Sequence, residues 1–152
     1  MVTLHRLAGA EVAIVATAAA PVVRQPLLGC FEADFDPADA HVSQMRRMTA
    51  HHLRSWGLEE LVDSATLVVS ELTTNAVRHG HGRVSLRVQW RLSLLRIEVA
   101  DGNPTPARMR PASKADENGR GLVLVASLAE DWGVDKDGTT TWASLTLPER
   151  KA

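Results

Sequence analysis

Residues 56–80 read WGLEELVDSATLVVSELTTNAVRHG. Apolar residues recur at Leu61, Ala65, Val68, Leu72 and Ala76, every three or four positions, as on the buried side of an amphipathic helix. The spacing predicts a helix from about Glu59 to His79, closed by Gly80. Beside that stripe runs a second one, Glu71, Asn75 and Arg78 at i, i+4 and i+7, on the lip of the core. A solvated helix edge, with Glu71 and Arg78 as loose ion partners, accounts for it; so does a binding site. The neighbouring segments bear on the choice.

Upstream, LGCFEADF (28–35) alternates as a strand does. Asp36-Pro37 predicts the start of a helix with Asp36 as its cap. Its apolar stripe is Val42, Met45, Thr49, Leu53 and Trp56, and Gly57 ends it. Downstream, RVSLRVQW (83–90) puts Val84, Leu86, Val88 and Trp90 on one face, and LLRIEVAD (94–101) does the same with Leu95, Ile97 and Val99. Together they predict a hairpin. A loop of Pro, Gly and charged residues follows (102–118), longer than a simple connection requires. GLVLVASLAEDWG (121–133) predicts a third helix with Leu122, Val125, Ala126 and Ala129 inward. DWGVDK and TTTWASLTL supply two closing strands around a turn at Asp137-Gly138.

The order of elements predicts an α+β two-layer sandwich: a mixed, largely antiparallel sheet covered on one face by about three helices. At 152 residues the chain is expected to form one domain, taken as 27–148, with an N-terminal extension (1–26) and a short tail (149–152). The extension contains AGAEVAIVATAAAPVV (8–23), which has some features of a secretory signal. Glu11 interrupts its apolar run, which is too short to span a membrane, so it is read as a mobile or loosely packed extension.

Hydrophobic content of 45%, charged content of 23% and a net charge of −1 describe an ordinary soluble globule. They supply no global field for nucleic acid or an anionic membrane. The single cysteine, Cys30, excludes an intramolecular disulfide and suits a cytoplasmic location. The histidine pairs His51-His52 and His79/His81 have no cysteine or carboxylate at metal-ligand spacing, and are read as ordinary histidines. Trp56, Trp90, Trp132 and Trp142 are read as packing residues, since no basic aromatic surface accompanies them.

Two further features carry chemistry. Asp101 shares strand parity with Leu95, Ile97 and Val99, so it should point between sheet and helices, where a carboxylate needs a donor. It could equally cap a turn, since DGNP follows. GRG (119–121) opens the predicted third helix, where backbone N–H groups and the helix dipole favour an anion and Arg120 can bond phosphate. The same residues could form a plain loop, and no GxxxxGK[ST] is present.

Taken in order, the helix with Glu71 and Asn75, the strand end with Asp101 and the glycine pair before a helix resemble the N box and two glycine boxes of the GHKL (Bergerat-fold) ATP-binding superfamily. The stretches 56–80, LRIEVADGNP, GRGLVLVASLAEDWGV and GTTTWASL look most like the small actinobacterial anti-sigma-factor serine/threonine kinases. The resemblance covers roughly residues 32–147.

The resemblance implies ATP and Mg²⁺ as cofactors. Asn75 would hold the metal, and Glu71 would be the general base on the attacking hydroxyl. Arg78 and His79 would flank the nucleotide. Asp101 would accept the adenine amino group, with Gly102 and Asn103 shaping that pocket. Residues 104–118 would form a lid, and Gly119, Arg120, Gly121 and Leu122 would close on the phosphates. One of the three threonines after Gly138 would stand beside adenine, where relatives often carry Lys; parity with Ala143 and Leu145 favours Thr139 over Thr140, with Thr140 and Thr141 left as alternatives.

It also implies an ATP-dependent kinase acting on an anti-anti-sigma (STAS-like) partner, or a nucleotide-responsive switch that sequesters a sigma factor with little turnover. A homodimer is compatible with either. A sensor histidine kinase fragment is disfavoured, because no phospho-acceptor helix pair precedes the domain.

Overall fold

The computed structural model describes residues 3–5, 25–102, 117–135 and 138–149, with backbone alone for 3–5 and 117–120. Six strands are joined as one sheet: β1 (Thr3–His5), β2 (Leu27–Phe35), β3 (Val84–Arg91), β4 (Leu94–Ala100), β5 (Asp131–Val134) and β6 (Thr140–Thr146). Their order is β1-β2-β3-β4-β6-β5, and every pairing is antiparallel. Three α-helices cover one face: α1 (Asp39–Ser55), α2 (Val62–His79, entered through a 3₁₀ turn at Glu59–Leu61) and α3 (Glu117–Leu128). This is the two-layer α+β sandwich the alternation predicts.

Strand parity builds the core. Phe31, Ala33 and Phe35 of β2, Val84, Leu86 and Val88 of β3, Leu95, Ile97 and Val99 of β4, and Ala143 and Leu145 of β6 are all buried. They meet Met45 and Leu53 of α1 and the expected Leu61, Ala65, Val68, Leu72 and Ala76 of the second helix. Each fully buried aliphatic or aromatic side chain contributes roughly 1.5–3 kcal/mol by leaving water. The buried hydroxyls of Thr49 and Thr73 donate to the carbonyls of Met45 and Val69, so neither is left unpaired.

The opposite parity is polar. Arg87 pairs with Glu32 on one side and with Glu98 on the other, and Arg96 bonds Glu98 while lying 4.4 Å over the Trp142 ring. Trp142 therefore packs on the outer face. Trp56, Trp90 and Trp132 pack against the core, Trp56 stacking on Trp90 with centroids 6.0 Å apart.

Four details differ from the sequence reading. The first helix starts at Asp39 with Ala38 as its cap, because Asp36 is engaged elsewhere: its carbonyl accepts from His41 Nδ1 at 2.7 Å and its carboxylate meets Arg83. The third helix begins at Glu117, so Gly119 and Arg120 lie within it rather than before it and Gly121 is not its first residue, and it ends at Leu128. Ala126 is exposed, since Gly121 and Val125 set the inward line of α3 and Ala126 turns about 100° from the latter. Thr3–His5, inside the segment read as an extension, pairs with Glu32–Asp34 of β2. Residues 6–24, Asp137 of the predicted turn and residues 150–152 lie outside the described residues. Among those described, no helix is long and apolar enough to cross a membrane.

Candidate functional site

Register brings the site together. Phe35 pairs with Val84, Ser85 with Ala100, and Ala100 with Thr140. The end of β4 and the start of β6 therefore lie at one end of the sheet, where α2 hands the chain to β3 through residues 80–83.

The first wall is the final turns of α2. Glu71 and Asn75 are half-buried, while Arg78 and His79 are exposed, which is the lip position their spacing predicts. Arg78 and His79 both interact within the chain.

The second wall is the turn after β4. Asp101 is half-buried, and its N–H donates to the Thr139 carbonyl at 2.9 Å, which sets these two residues side by side. Its side chain lies over the end of α2: a β-carbon at Gly80 would stand 2.6 Å from the Asp101 β-carbon and would also meet the Ala76 carbonyl oxygen. Gly80 has φ −77°, open to any residue, so glycine is there for space rather than for its dihedral freedom. Gly102 repeats the theme, since a β-carbon there would collide with the His81 carbonyl oxygen. The sequence reading treats Gly80 only as a helix stop. Its steric role has no local signature, because the residue it accommodates lies across the fold.

The third wall is α3, which packs on α2 and β5. Val125 is fully buried and Leu122 half-buried against the core. Gly121 is buried against α2, and a β-carbon there would meet the Glu71 carboxylate. The Glu71 carboxylate thus sits on the early part of α3. The N–H groups of the first four residues of a helix have no partner within it and attract anions; in α3 these are the N–H groups of 117–120, which include Gly119 and Arg120.

Of the predicted site residues, Glu71, Asn75, Arg78, His79, Asp101, Gly102, Thr139, Gly121 and Leu122 thus lie on the three elements that form this end of the sandwich, α2, the β4–β6 junction and α3. Asn103 and residues 104–116 lie outside the described residues, as does the side chain of Arg120.

The family model for the histidine kinase-like ATPase domain matches residues 35–145. That span is most of the chain, and the chain belongs to this family of ATP-binding domains within the GHKL superfamily. None of the curated proteins compared with the chain matches it.

Proposed function

We propose that this protein is an ATP-dependent serine/threonine kinase of the anti-sigma-factor type, whose substrate is an anti-anti-sigma (STAS-like) domain. The observation that carries the reading is the contact of Glu71 with Gly121. It sets a carboxylate one helical turn before Asn75 and against the start of α3, where a triphosphate would lie.

The residues fit the nucleotide. Asn75, a half-buried residue, carries an amide oxygen, the hard donor Mg²⁺ prefers, and no hydrogen bond among those described engages it. Gly80 and Gly102 leave room for backbone and for the Asp101 carboxylate, which suits an exocyclic amino group. Bound Mg²⁺ would neutralise phosphate charge as it moves to the leaving oxygen.

The chain's own residues do the rest. Asp101 and Thr139 orient adenine, and the α3 N-terminus faces the phosphates. The partner's Ser or Thr hydroxyl oxygen forms a bond to the γ-phosphorus while the bond to the β,γ-bridging oxygen breaks and ADP leaves. Glu71 takes the hydroxyl proton or orients the hydroxyl. Positioning and charge neutralisation are the main contributions.

The test is incubation with γ-labelled ATP, Mg²⁺ and a panel of STAS-like domains and sigma factors. Label on a Ser or Thr of one STAS-like domain supports the kinase. Nucleotide-dependent capture of a sigma factor, with no label on any partner, would replace it with a sequestering switch.

A further inference from the structure

We propose that Gly121 is a positioning residue for Glu71, setting where its carboxylate stands by having no side chain of its own. The proposal rests on the kinase reading of Glu71 and adds a second residue on which that carboxylate depends. Gly121 is buried inside α3, where glycine is the least favourable residue apart from proline. Its φ is not among the positive glycine angles of the described residues, which belong to Gly57, Gly82 and Gly138. Conformational freedom therefore does not explain it.

Space does. The atom nearest to a β-carbon at 121 is Glu71 Oε2, at a separation no carbon–oxygen contact tolerates. The next are Glu71 Cδ at 3.5 Å and Cβ at 3.8 Å, which are ordinary contacts. All three belong to one side chain. Among the described residues, and apart from the backbone of α3 itself, a methyl group at 121 would meet no crowded backbone atom, and it would displace the carboxylate head of Glu71. Position 121 therefore governs the placement of one functional group with little bearing on the core.

The experiment is a double-mutant cycle on the full chain: wild type, Gly121→Ala, Glu71→Ala and the double variant. Each is assayed for melting temperature without nucleotide and for phosphoryl transfer across an ATP titration that reaches saturation, so that kcat and KM are read separately. Gly121→Ala is expected to reduce kcat by about tenfold to 10²-fold, the upper figure being the scale of an ångström's misplacement. Added to Glu71→Ala, it is expected to cost nothing further. In melting, alanine at 121 should raise the midpoint more in the Glu71→Ala background, where the helix gains a better former with no carboxylate to displace. Three results would overturn the proposal: wild-type kcat in Gly121→Ala, an equal fold-loss in both backgrounds, or a loss confined to KM for ATP. If the wild type transfers no phosphate, the kinase reading fails on its own. The melting cycle then decides the contact: unequal shifts in the two backgrounds uphold it, and equal shifts overturn it.

Discussion

Gly80 and Asp101 stand so close that a β-carbon on the glycine would come within 3.1 Å of the aspartate's carboxyl carbon. The end of α2 thereby serves as the floor under the carboxylate expected to read adenine. Gly80→Ala would press on Asp101 from one side and on the Ala76 carbonyl from the other. Overpacking of this kind costs about 1–3 kcal/mol. Denaturant unfolding should show that loss, and nucleotide affinity should fall with it. A variant as stable as wild type would mean the backbone yields more readily than the contact implies.

Asn75→Ala removes an amide oxygen from a half-buried position on α2 without touching the buried stripe of Leu72 and Ala76. The fold should survive, and the Mg²⁺-dependent part of ATP affinity should vanish. Titrations with Mg²⁺ and with EDTA measure it. An undiminished Mg²⁺ effect in the variant would assign the metal to other ligands.

Glu71→Ala separates binding from chemistry. ATP affinity should stay within about threefold, under roughly 0.7 kcal/mol, because Asp101 and the α3 N-terminus do not depend on it. Phosphoryl transfer should fall by ~10²-fold or more. Transfer at the wild-type rate would reduce Glu71 to a packing residue beside Gly121.

Cys30 lies on the polar face of β2, and burial, with Glu32 beside it, pushes its thiol up from 9.0 to about 11. The folded protein thus holds the proton more tightly than the unfolded chain. The associated stabilisation is complete below pH 9.0 and is lost as pH rises towards 11. Since the thiolate is the reactive form, iodoacetamide should modify native Cys30 about 100-fold more slowly than an unperturbed cysteine near pH 8. Denaturation should remove the difference.

The elements most legible in the sequence are those with one covered face. The α2 stripe and the β3 and β4 alternation follow from helices packing on a single side of the sheet, so period alone gives them. The start of α3 is not legible, because Glu-Asn-Gly-Arg-Gly is a poor helix former locally. The packing of Gly121 and Val125 on α2 overrides that propensity. Asp36 misleads in the opposite sense: its cap signal is sound, but its carbonyl and carboxylate serve His41 and Arg83 instead. A three-residue edge strand such as Thr3–His5 is too short to show a period. Within the candidate site, the positions of Glu71, Asn75 and Asp101 follow from spacing and strand parity, whereas the close packing at Gly80 and Gly121 depends on side chains that only the folded chain brings against them.

Calorimetric titration with ATP in the presence of Mg²⁺, on the wild type and on Asp101→Asn, addresses the central claim most directly. Adenine is expected to be recognised at the turn after β4 by the Asp101 carboxylate seated on Gly80. The wild type should bind ATP and ADP. Asp101→Asn should bind them more weakly by roughly 1.5–3 kcal/mol, the contribution of one charge-assisted hydrogen bond. A wild-type protein that takes up neither nucleotide, or an Asp101→Asn variant that binds both as tightly, would contradict it.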